Sequence, residues 1–412
     1  MNVLLLTAEF PPEIRSAALL MGELAGSMAR RGHRVTVITA APPGARNGSL
    51  FSPAVEERDG VRVLRIRTLA VHRSRAGAIV RGLMQLINAV AFFVAALAVK
   101  DAEVTVAYSP PLALGIVGAL LHRLRGTPHL LNVQDLVPQY AIDLGILKNR
   151  ALIRLLKAIE RAVYRNVHLI TVHSPGNAAY LIGEGVPASK VAVVPNWVDT
   201  ARIRPAARET AYRKRAGLEG SFVALFAGAL GFAQDLDTVL EAAALLRPHA
   251  RIVFLIVGDG VEKARLQEKA RALDLANVRF MPVVPADEYP EVVASADLCL
   301  ATLQRSLLCP VVPSKLLGYM AAGRPIVAAF PEGGDAPRVI READCGLSVP
   351  AGEPRRLAEA ILEASENSEQ WRARGERGRR FVEMNHDRER AMALYDSLLG
   401  TLAGAGAVAE PG

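Results

Sequence analysis

Short runs of β-branched and other apolar residues alternate with helical patterns along the whole chain, and this alternation restricts the fold more than any other feature. Strands separated by helices form parallel sheets that helices cover on both faces. The pattern predicts two successive sets of strands. They are Val3–Thr7, Val35–Thr39, Val61–Arg67, Glu103–Ala107, His129–Val133, Leu169–Val172 and Val191–Val194, then Phe222–Ala227, Ile252–Val257, Val278–Met281, Leu298–Ala301, Pro325–Ala329 and Gly346–Val349.

Helical patterns lie between these runs, for example at Ala18–Arg31, Ala151–Arg165, Leu236–Arg247 and Val261–Leu273. Two sets of strands predict two doubly wound α/β domains, over residues 1–200 and 216–384, joined by a polar, basic linker. The last helix, at 385–400, follows no strand of its own, so we expect it to pack back on the first domain. Open parallel sheets bind ligands beyond the carboxyl ends of their strands. Two such domains facing one another would form a cleft there.

Composition narrows the class of partner. The 412 residues carry a net charge of +8, which favours an anionic membrane surface or a phosphorylated substrate. No Arg/Lys tract with interleaved aromatic residues occurs, so we expect no nucleic acid partner. The three cysteines form no Cys-x-x-Cys pair, which predicts neither a zinc site nor a disulfide framework and fits a reducing cytoplasm.

One apolar segment, residues 82–99, is long enough to suggest a membrane span. Strands of one predicted sheet lie on both sides of it, so we favour a buried or membrane-surface helix. Basic residues just before it would suit an anionic surface and would equally suit plain solvent: His72, Arg73, Arg75 and Arg81.

Loops after two strands carry residues suited to anions. After the first strand, Ser16 can cap the next helix, and the free N–H groups of that helix favour an anion beside Arg15. An ordinary strand–turn–helix without a ligand would have the same sequence pattern. Gly228 and Gly231 allow close backbone approach after the first strand of the second domain. The pair Asp235 and Asp237 could hold a metal, but acidic residues are also expected at a helix start, and we predict no metal site.

These segments occur in a familiar order: "FPPE", "ELAGSMARRGHRVTVIT", "PPLALG", "VPNWVD", "FAGALG", "VGDGVEKARLQ", "VRFMPVVP", "SADLCLATL" and "PSKLLGYMAAGRPIV". Over about residues 1–400 the chain resembles the retaining, group-1 nucleotide-sugar glycosyltransferases of the GT-B fold. Within them it is similar to transferases of bacterial surface-polysaccharide assembly, including those like N-acetyl-fucosamine transferases. The resemblance implies two Rossmann-like domains, a donor nucleotide on the second, an acceptor on the first, and no required metal or other cofactor.

The chain departs from the family where the resemblance implies donor contacts. Two glutamates common in the family are replaced by Pro310 and Gly318, and the loop 229–235 lacks the usual Arg and Lys. We expect Gly318 to leave the helix bare beside the ligand. Ser314, Lys315 and Leu316 at the helix start, with Gly231 and Arg305, then replace the missing diphosphate contacts. A plain surface lysine is the alternative for Lys315.

On the acceptor side, Gln134 stands where many relatives have a histidine that contacts the donor sugar. Asp135 either orients the acceptor or caps a helix. His173 could reach the cleft, but a hydrogen-bonded core histidine is the stronger reading. Glu13, on the first loop, is the candidate for the acceptor hydroxyl.

The sequence therefore predicts a retaining transferase that moves a sugar from a nucleoside-diphosphate sugar to a glycan or polyprenyl-diphosphate-linked acceptor. It would act in the cytoplasm, peripherally at the inner face of the plasma membrane. Two alternatives stay open: a nucleotide-sugar epimerase, which would need no acceptor, and a non-catalytic glycan- or membrane-binding scaffold.

Overall fold

The computed structural model describes residues 1–42, 53–69 and 78–407. The chain divides into two compact units. One contains Met1–Pro195 and the chain from Glu389 onward, and the other contains Asn196–Arg388.

The first unit is built on an eight-stranded sheet with the order β3-β4-β2-β1-β5-β6-β7-β8. All neighbouring strands are parallel except β3 and β4. The strands are β1 (Asn2–Leu6), β2 (Arg34–Ala40), β3 (Ala54–Arg58), β4 (Val61–Ile66), β5 (Val104–Ser109), β6 (His129–Val133), β7 (Leu169–Val172) and β8 (Val191–Val193). Its helices are α1 (Ser16–Arg30), α2 (Ala78–Leu97), α3 (Ala113–Arg125), α4 (Gln139–Asp143), α5 (Arg150–Arg165) and α6 (Pro175–Gly183).

The second unit is built on a six-stranded parallel sheet with the order β11-β10-β9-β12-β13-β14. The strands are β9 (Phe222–Ala227), β10 (Ile252–Val257), β11 (Val278–Met281), β12 (Leu298–Thr302), β13 (Ile326–Phe330) and β14 (Gly346–Pro350). Its helices are α7 (Ala211–Arg215), α8 (Leu236–Leu245), α9 (Lys263–Ala272), α10 (Tyr289–Ala294), α11 (Lys315–Ala321), α12 (Asp335–Ala343), α13 (Pro354–Glu366) and α14 (Ser368–Asn385).

The predicted α/β class with two Rossmann-like sheets is confirmed, and every predicted strand is present. The sequence missed β3, because its residues AVEER are mostly charged and exposed and lie at the antiparallel edge of the sheet. Such a strand lacks the buried apolar run that reveals the others.

The last helix, α15 (Arg388–Ala407), packs on the first unit. The Asp396 carboxylate lies 2.6 Å from His33 Nε2, and the Tyr395 hydroxyl accepts a hydrogen bond from the Asn132 amide at 2.8 Å. The segment just before α15 lies beside the chain at Val198, where the Val198 N–H donates to the His386 carbonyl at 3.0 Å.

Helix α2 covers most of the apolar segment that suggested a membrane span. Over Val80–Leu97 it is long and apolar enough to cross a membrane, and 28% of that stretch is buried. Its last turns are buried, and the Arg125 guanidinium donates to the carbonyls of Leu97 and Val99 at its end. Its first turns carry exposed apolar side chains: Val80, Leu83, Leu86, Ile87 and Val90. Of the basic residues noted before it, His72, Arg73 and Arg75 lie outside the described residues.

Candidate functional site

The sheet of the second unit opens between β9 and β12, where the strand order changes direction. The two strands pair only at Leu298–Ala224 and Cys299–Leu225. Phe226 and Ala227 therefore extend beyond the β9–β12 ladder. In doubly wound sheets this switch point is where ligands bind.

Tyr319, on α11, occupies the gap beside Ala227. Its buried hydroxyl accepts a hydrogen bond from the Ala227 N–H at 2.9 Å and lies 3.2 Å from the Ala227 carbonyl, to which it donates. Burial raises the pKa of Tyr319 well above its ordinary value, so the hydroxyl stays protonated. No pattern in the sequence predicts this contact.

The turn after β9 is held tightly against the turn after β10. The Gly228 N–H donates to the Val257 carbonyl at 3.0 Å, and the Leu230 N–H donates to the Asp259 carbonyl at 2.9 Å. A Cβ at Gly258 would lie 1.9 Å from the Gly228 oxygen, so only glycine permits this approach. The segment "VGDG" thus fixes the shape of the 228–230 turn.

Lys315 begins α11 beneath the same turn. Its ammonium donates to the Gln234 side-chain oxygen at 2.5 Å and lies 3.6 Å from the centre of the Phe226 ring. A Cβ at Gly228 would lie 3.4 Å from the ammonium nitrogen. Burial lowers the pKa of Lys315 well below its ordinary value. The structure thus places a half-buried amine, with an amide as partner, at the carboxyl end of β9, so Lys315 is not an exposed surface lysine.

Four other residues were named from the sequence together with Lys315. Ser314 is exposed, and its side chain makes no capping hydrogen bond. Leu316 has a buried side chain, and its N–H already donates to the Pro313 carbonyl at 3.0 Å. Arg305 is exposed in the loop after β12. Gly231 is partly exposed, with open space where a Cβ would be.

Gly318 has a different role from the one expected of it. A Cβ at this position would lie 2.9 Å from the Tyr289 hydroxyl, which packs against the buried backbone of α11. We expected Gly318 to leave space for a ligand, but the absence of a side chain at this position makes room for Tyr289 instead. Tyr289 lies on α10, outside the sequence motif that contains Gly318, so the motif alone could not predict this contact.

Asp235 and Asp237, the acidic pair at the start of α8, both bind other side chains of the protein. Arg265 donates to both Asp237 oxygens at 3.0 and 2.6 Å and, followed by Lys269, lowers the pKa of Asp237 to about 2. Asp235 adopts φ +44° and accepts a hydrogen bond from the Thr238 hydroxyl at 2.7 Å. Within residues 1–42, 53–69 and 78–407, no group of three or more His, Cys, Asp or Glu side chains is arranged to hold a metal ion.

The sheet of the first unit opens at its own switch point, between β1 and β5. Pairing ends at Leu6–Ala107, and Tyr108 follows on β5. Burial, followed by the charges of Asp135 and Glu9, raises the pKa of Tyr108 above its ordinary range. The carboxylates of two loops are therefore near enough to act electrostatically on this tyrosine, which the sequence did not single out.

Asp135 is the most perturbed carboxyl at this edge. Its desolvation raises the pKa of the side chain to about 6. The helix that follows, α4, has Pro138 at its N-cap, so Asp135 is not a helix cap. Of the two roles that the sequence left open, only acceptor orientation stays as a prediction.

Gln134 is held in one orientation by a chain of amides. Its side-chain nitrogen donates to Asn132 Oδ1 at 2.9 Å, and Asn132 in turn donates to Tyr395 of α15. His173, on the neighbouring strand's end, is buried against the Asn177 amide at 3.0 Å, as expected of a core histidine.

The first loop differs in part from expectation. Ser16 does not cap α1: it is the first helical residue, and Arg15 stands at the N-cap without a side-chain hydrogen bond to the helix. The Arg15 guanidinium instead pairs with Glu9 at 2.8 Å. Glu13 is partly buried in the same loop. An anion at this helix start would compete with Glu9 for Arg15.

Comparisons with known proteins agree with the two Rossmann-like units. The family model "Glycosyl transferase 4-like domain" matches residues 18–197, and "Glycosyl transferases group 1" matches residues 208–381. WcaI of Escherichia coli K12, named as a colanic acid biosynthesis glycosyl transferase, is 28% identical over 78% of this chain and 82% of its own.

Two solved structures share the fold. Sucrose-phosphate synthase of Thermosynechococcus elongatus gives a TM-score of 0.80 at 18% identity, covering 98% of this chain and 99% of that one. HepE of Anabaena, solved with UDP-glucose, gives 0.75 at 18% identity, covering 98% of this chain and 100% of that one. With both family models matched in order, the chain belongs to the group 1 glycosyltransferases of the GT-B fold and carries a glycosyl transferase 4-like domain at its N-terminus.

Proposed function

We propose that this glycosyltransferase moves a sugar, with retention of configuration, from a nucleoside-diphosphate sugar to a lipid-linked glycan acceptor in surface-polysaccharide assembly. The observation that carries the donor half is the desolvated Lys315 ammonium beside the Gly228 turn. The WcaI similarity supports the polysaccharide setting, and the family resemblance supports retention.

The donor assignment follows from charge. A nucleoside diphosphate brings about two negative charges, and a charge in a cleft of reduced dielectric needs a partner. Lys315 bonds an amide oxygen and packs on an aromatic ring. A diphosphate there would favour the charged amine. As the nucleoside diphosphate departs it gains negative charge, so the same contact would strengthen in the transition state.

Arg305 and Ser314 would complete the diphosphate contacts. Both are exposed, and within the described part of the chain Arg305 makes no ion pair. A guanidinium can bind phosphate through two parallel hydrogen bonds. The Gly231 amide belongs to the same proposed site.

The acceptor would bind the first unit, beside Tyr108 and the carboxylates of Asp135 and Glu9 that act on it electrostatically. An ionised Asp135 can accept the proton of an acceptor hydroxyl, and Gln134 can donate a hydrogen bond to the sugar. Glu13 belongs to the same proposed site. The two alternatives, epimerisation of the donor and binding without catalysis, become outcomes of the assay.

The assay incubates the purified protein with a panel of UDP-, GDP- and dTDP-sugars, with and without polyprenyl-diphosphate-linked glycans. We expect nucleoside diphosphate release that requires the acceptor, and a product with the donor's anomeric configuration by NMR. A changed sugar without acceptor would identify an epimerase. Binding without turnover on every pair would identify a scaffold.

Lys315→Met keeps the apolar stem and removes the charge. Losing a contact that strengthens in the transition state should cost about 2–4 kcal/mol, or roughly 30- to 1,000-fold in kcat/KM for the donor. Steady-state kinetics on folded protein measure this. Lys214→Met, an exposed lysine on α7, is the matched control. Wild-type kinetics in Lys315→Met would place the diphosphate elsewhere.

Asp135→Asn should lower activity and raise stability together. The pKa of Asp135 is about 6 in the folded chain and 3.8 ordinarily, so the unfolded state releases this proton more readily. Ionised Asp135 therefore destabilises the fold as pH rises from about 4 to 6. Above that window the cost is about 2 kcal/mol, allowing for partial exposure.

We expect Asp135→Asn to unfold at a higher temperature than wild type at pH 8 and at an equal temperature at pH 3. We expect kcat to fall by about 100-fold or more. Thermal unfolding at the two pH values and acceptor kinetics measure both. Equal kcat in the two proteins would remove Asp135 from the catalytic residues.

A membrane would be the third partner. The exposed apolar residues of α2 recur every three to four positions and so form one stripe. Leu69 adjoins it, because its N–H and carbonyl bond the Asn88 side chain of α2. Arg67 and Arg81 flank the stripe. An apolar stripe with basic flanks suits an anionic lipid surface, where a lipid-linked acceptor would lie.

Flotation should recover the protein with phosphatidylglycerol vesicles, recover less with phosphatidylcholine vesicles, and recover less at 0.5 M salt. Leu83→Gln with Val90→Gln should reduce recovery at least fivefold, because it removes the centre of the stripe. Leu245→Gln, an exposed apolar residue on α8, is the control. Equal recovery of both variants would exclude this surface.

A further inference from the structure

We propose that Tyr319 is a positioning residue for donor binding: its hydroxyl replaces the missing β12 partner of Ala227 and thereby holds the Gly228 turn against Lys315. This inference rests on the proposed donor site and names the group that keeps that site in shape.

The backbone geometry creates the need for such a group. In a parallel strand, the N–H and C=O of one residue point to the same neighbour. Gly228 donates toward β10, through the Val257 carbonyl, so Ala227 points to the β12 side. The β9–β12 ladder has already ended at Leu225. Both polar groups of Ala227 would be buried without a partner if no side chain reached them.

The Tyr319 hydroxyl fits both groups at once. A hydroxyl has one donor and two acceptor sites, so it can accept from the N–H and donate to the C=O of one residue. It does so at 2.9 and 3.2 Å, and its side chain is fully buried. Phenylalanine offers neither interaction.

The consequence for the donor comes through α11. Tyr319 and Lys315 are four residues apart and so lie on the same face of this helix. One reaches Ala227 and the other reaches Phe226 and Gln234, on either side of the Gly228 turn. The hydroxyl therefore sets the distance between the turn and the ammonium. Removing it frees the turn to move away from Lys315.

The test is Tyr319→Phe in the full chain. Isothermal titration with UDP, GDP and dTDP identifies the nucleotide that wild type binds most tightly. Its affinity should fall about tenfold in the variant, as expected when a buried backbone pair loses its partner. The KM for the donor should rise, and the KM for the acceptor should not change. A purely structural role would lower the unfolding temperature without this split.

Tyr164→Phe is the matched control. It deletes another buried tyrosine hydroxyl, bonded to Glu160 at 3.2 Å in the first unit, and should leave nucleotide affinity unchanged. Tyr319→4-aminophenylalanine keeps a donor at the same place but is a weaker acceptor, so its affinity should lie between those of wild type and Tyr319→Phe.

If Tyr319→Phe does not fold, the amino variant decides alone. Its weaker acceptor predicts about a threefold loss of affinity with an unchanged acceptor KM, and wild-type affinity would overturn the inference. Wild-type affinity in a folded Tyr319→Phe would also overturn it. A wild-type protein that binds none of the three nucleotides overturns the proposed function itself, and this inference with it.

Discussion

The second unit depends on the place where β9 and β12 stop pairing. Two residue pairs join these strands, and beyond Leu225 the ladder ends, so that Phe226 and Ala227 have no partner on β12. Opening a sheet exposes backbone groups that must be satisfied, and the Tyr319 hydroxyl satisfies them. The same separation makes room for the Lys315 ammonium between the Phe226 ring and Gln234. The early end of the β9–β12 ladder thus leaves room for two side chains of α11, Tyr319 and the cationic Lys315.

The charged groups of the two crevices differ from those elsewhere in the same units. Near the start of α8, Asp237 is neutralised by Arg265 and Lys269, which lower its pKa to about 2. Lys315 and Asp135, in contrast, are shifted by burial toward their neutral forms. Ionising a buried group of this kind lowers the stability of the fold. A ligand of opposite charge, or a hydrogen-bond donor beside a carboxylate, restores that stability when it binds. This contrast favours functional roles for Lys315 and Asp135 and a structural role for Asp237.

The fold was readable from the sequence because buried parallel strands need continuous apolar runs, and only the charged edge strand β3 lacked one. Asp135 was readable because it follows the end of a strand, and Lys315 because it stands at the start of a helix in a motif that resembles the family's. Tyr319 was not, because a tyrosine inside an apolar helix gives no indication of which backbone group its hydroxyl reaches. Gly318 was misread for the same reason, since its neighbour Tyr289 lies on another helix. The prediction that Ser16 caps α1 was wrong because the helix begins at Ser16 itself, which leaves Arg15 at the N-cap position.

The glycine at 318 also bears on whether the lost family carboxylates argue against transfer. Positions 315 and 318 are three residues apart on α11, so a glutamate at 318 would be a neighbour of Lys315. A carboxylate there would pair with the ammonium and compete with a diphosphate for it. It would also collide with Tyr289, whose hydroxyl lies 2.9 Å from the position of its Cβ. A site that uses Lys315 as its cation is therefore better served by glycine, and the absence of the carboxylate is consistent with an active donor site of different construction.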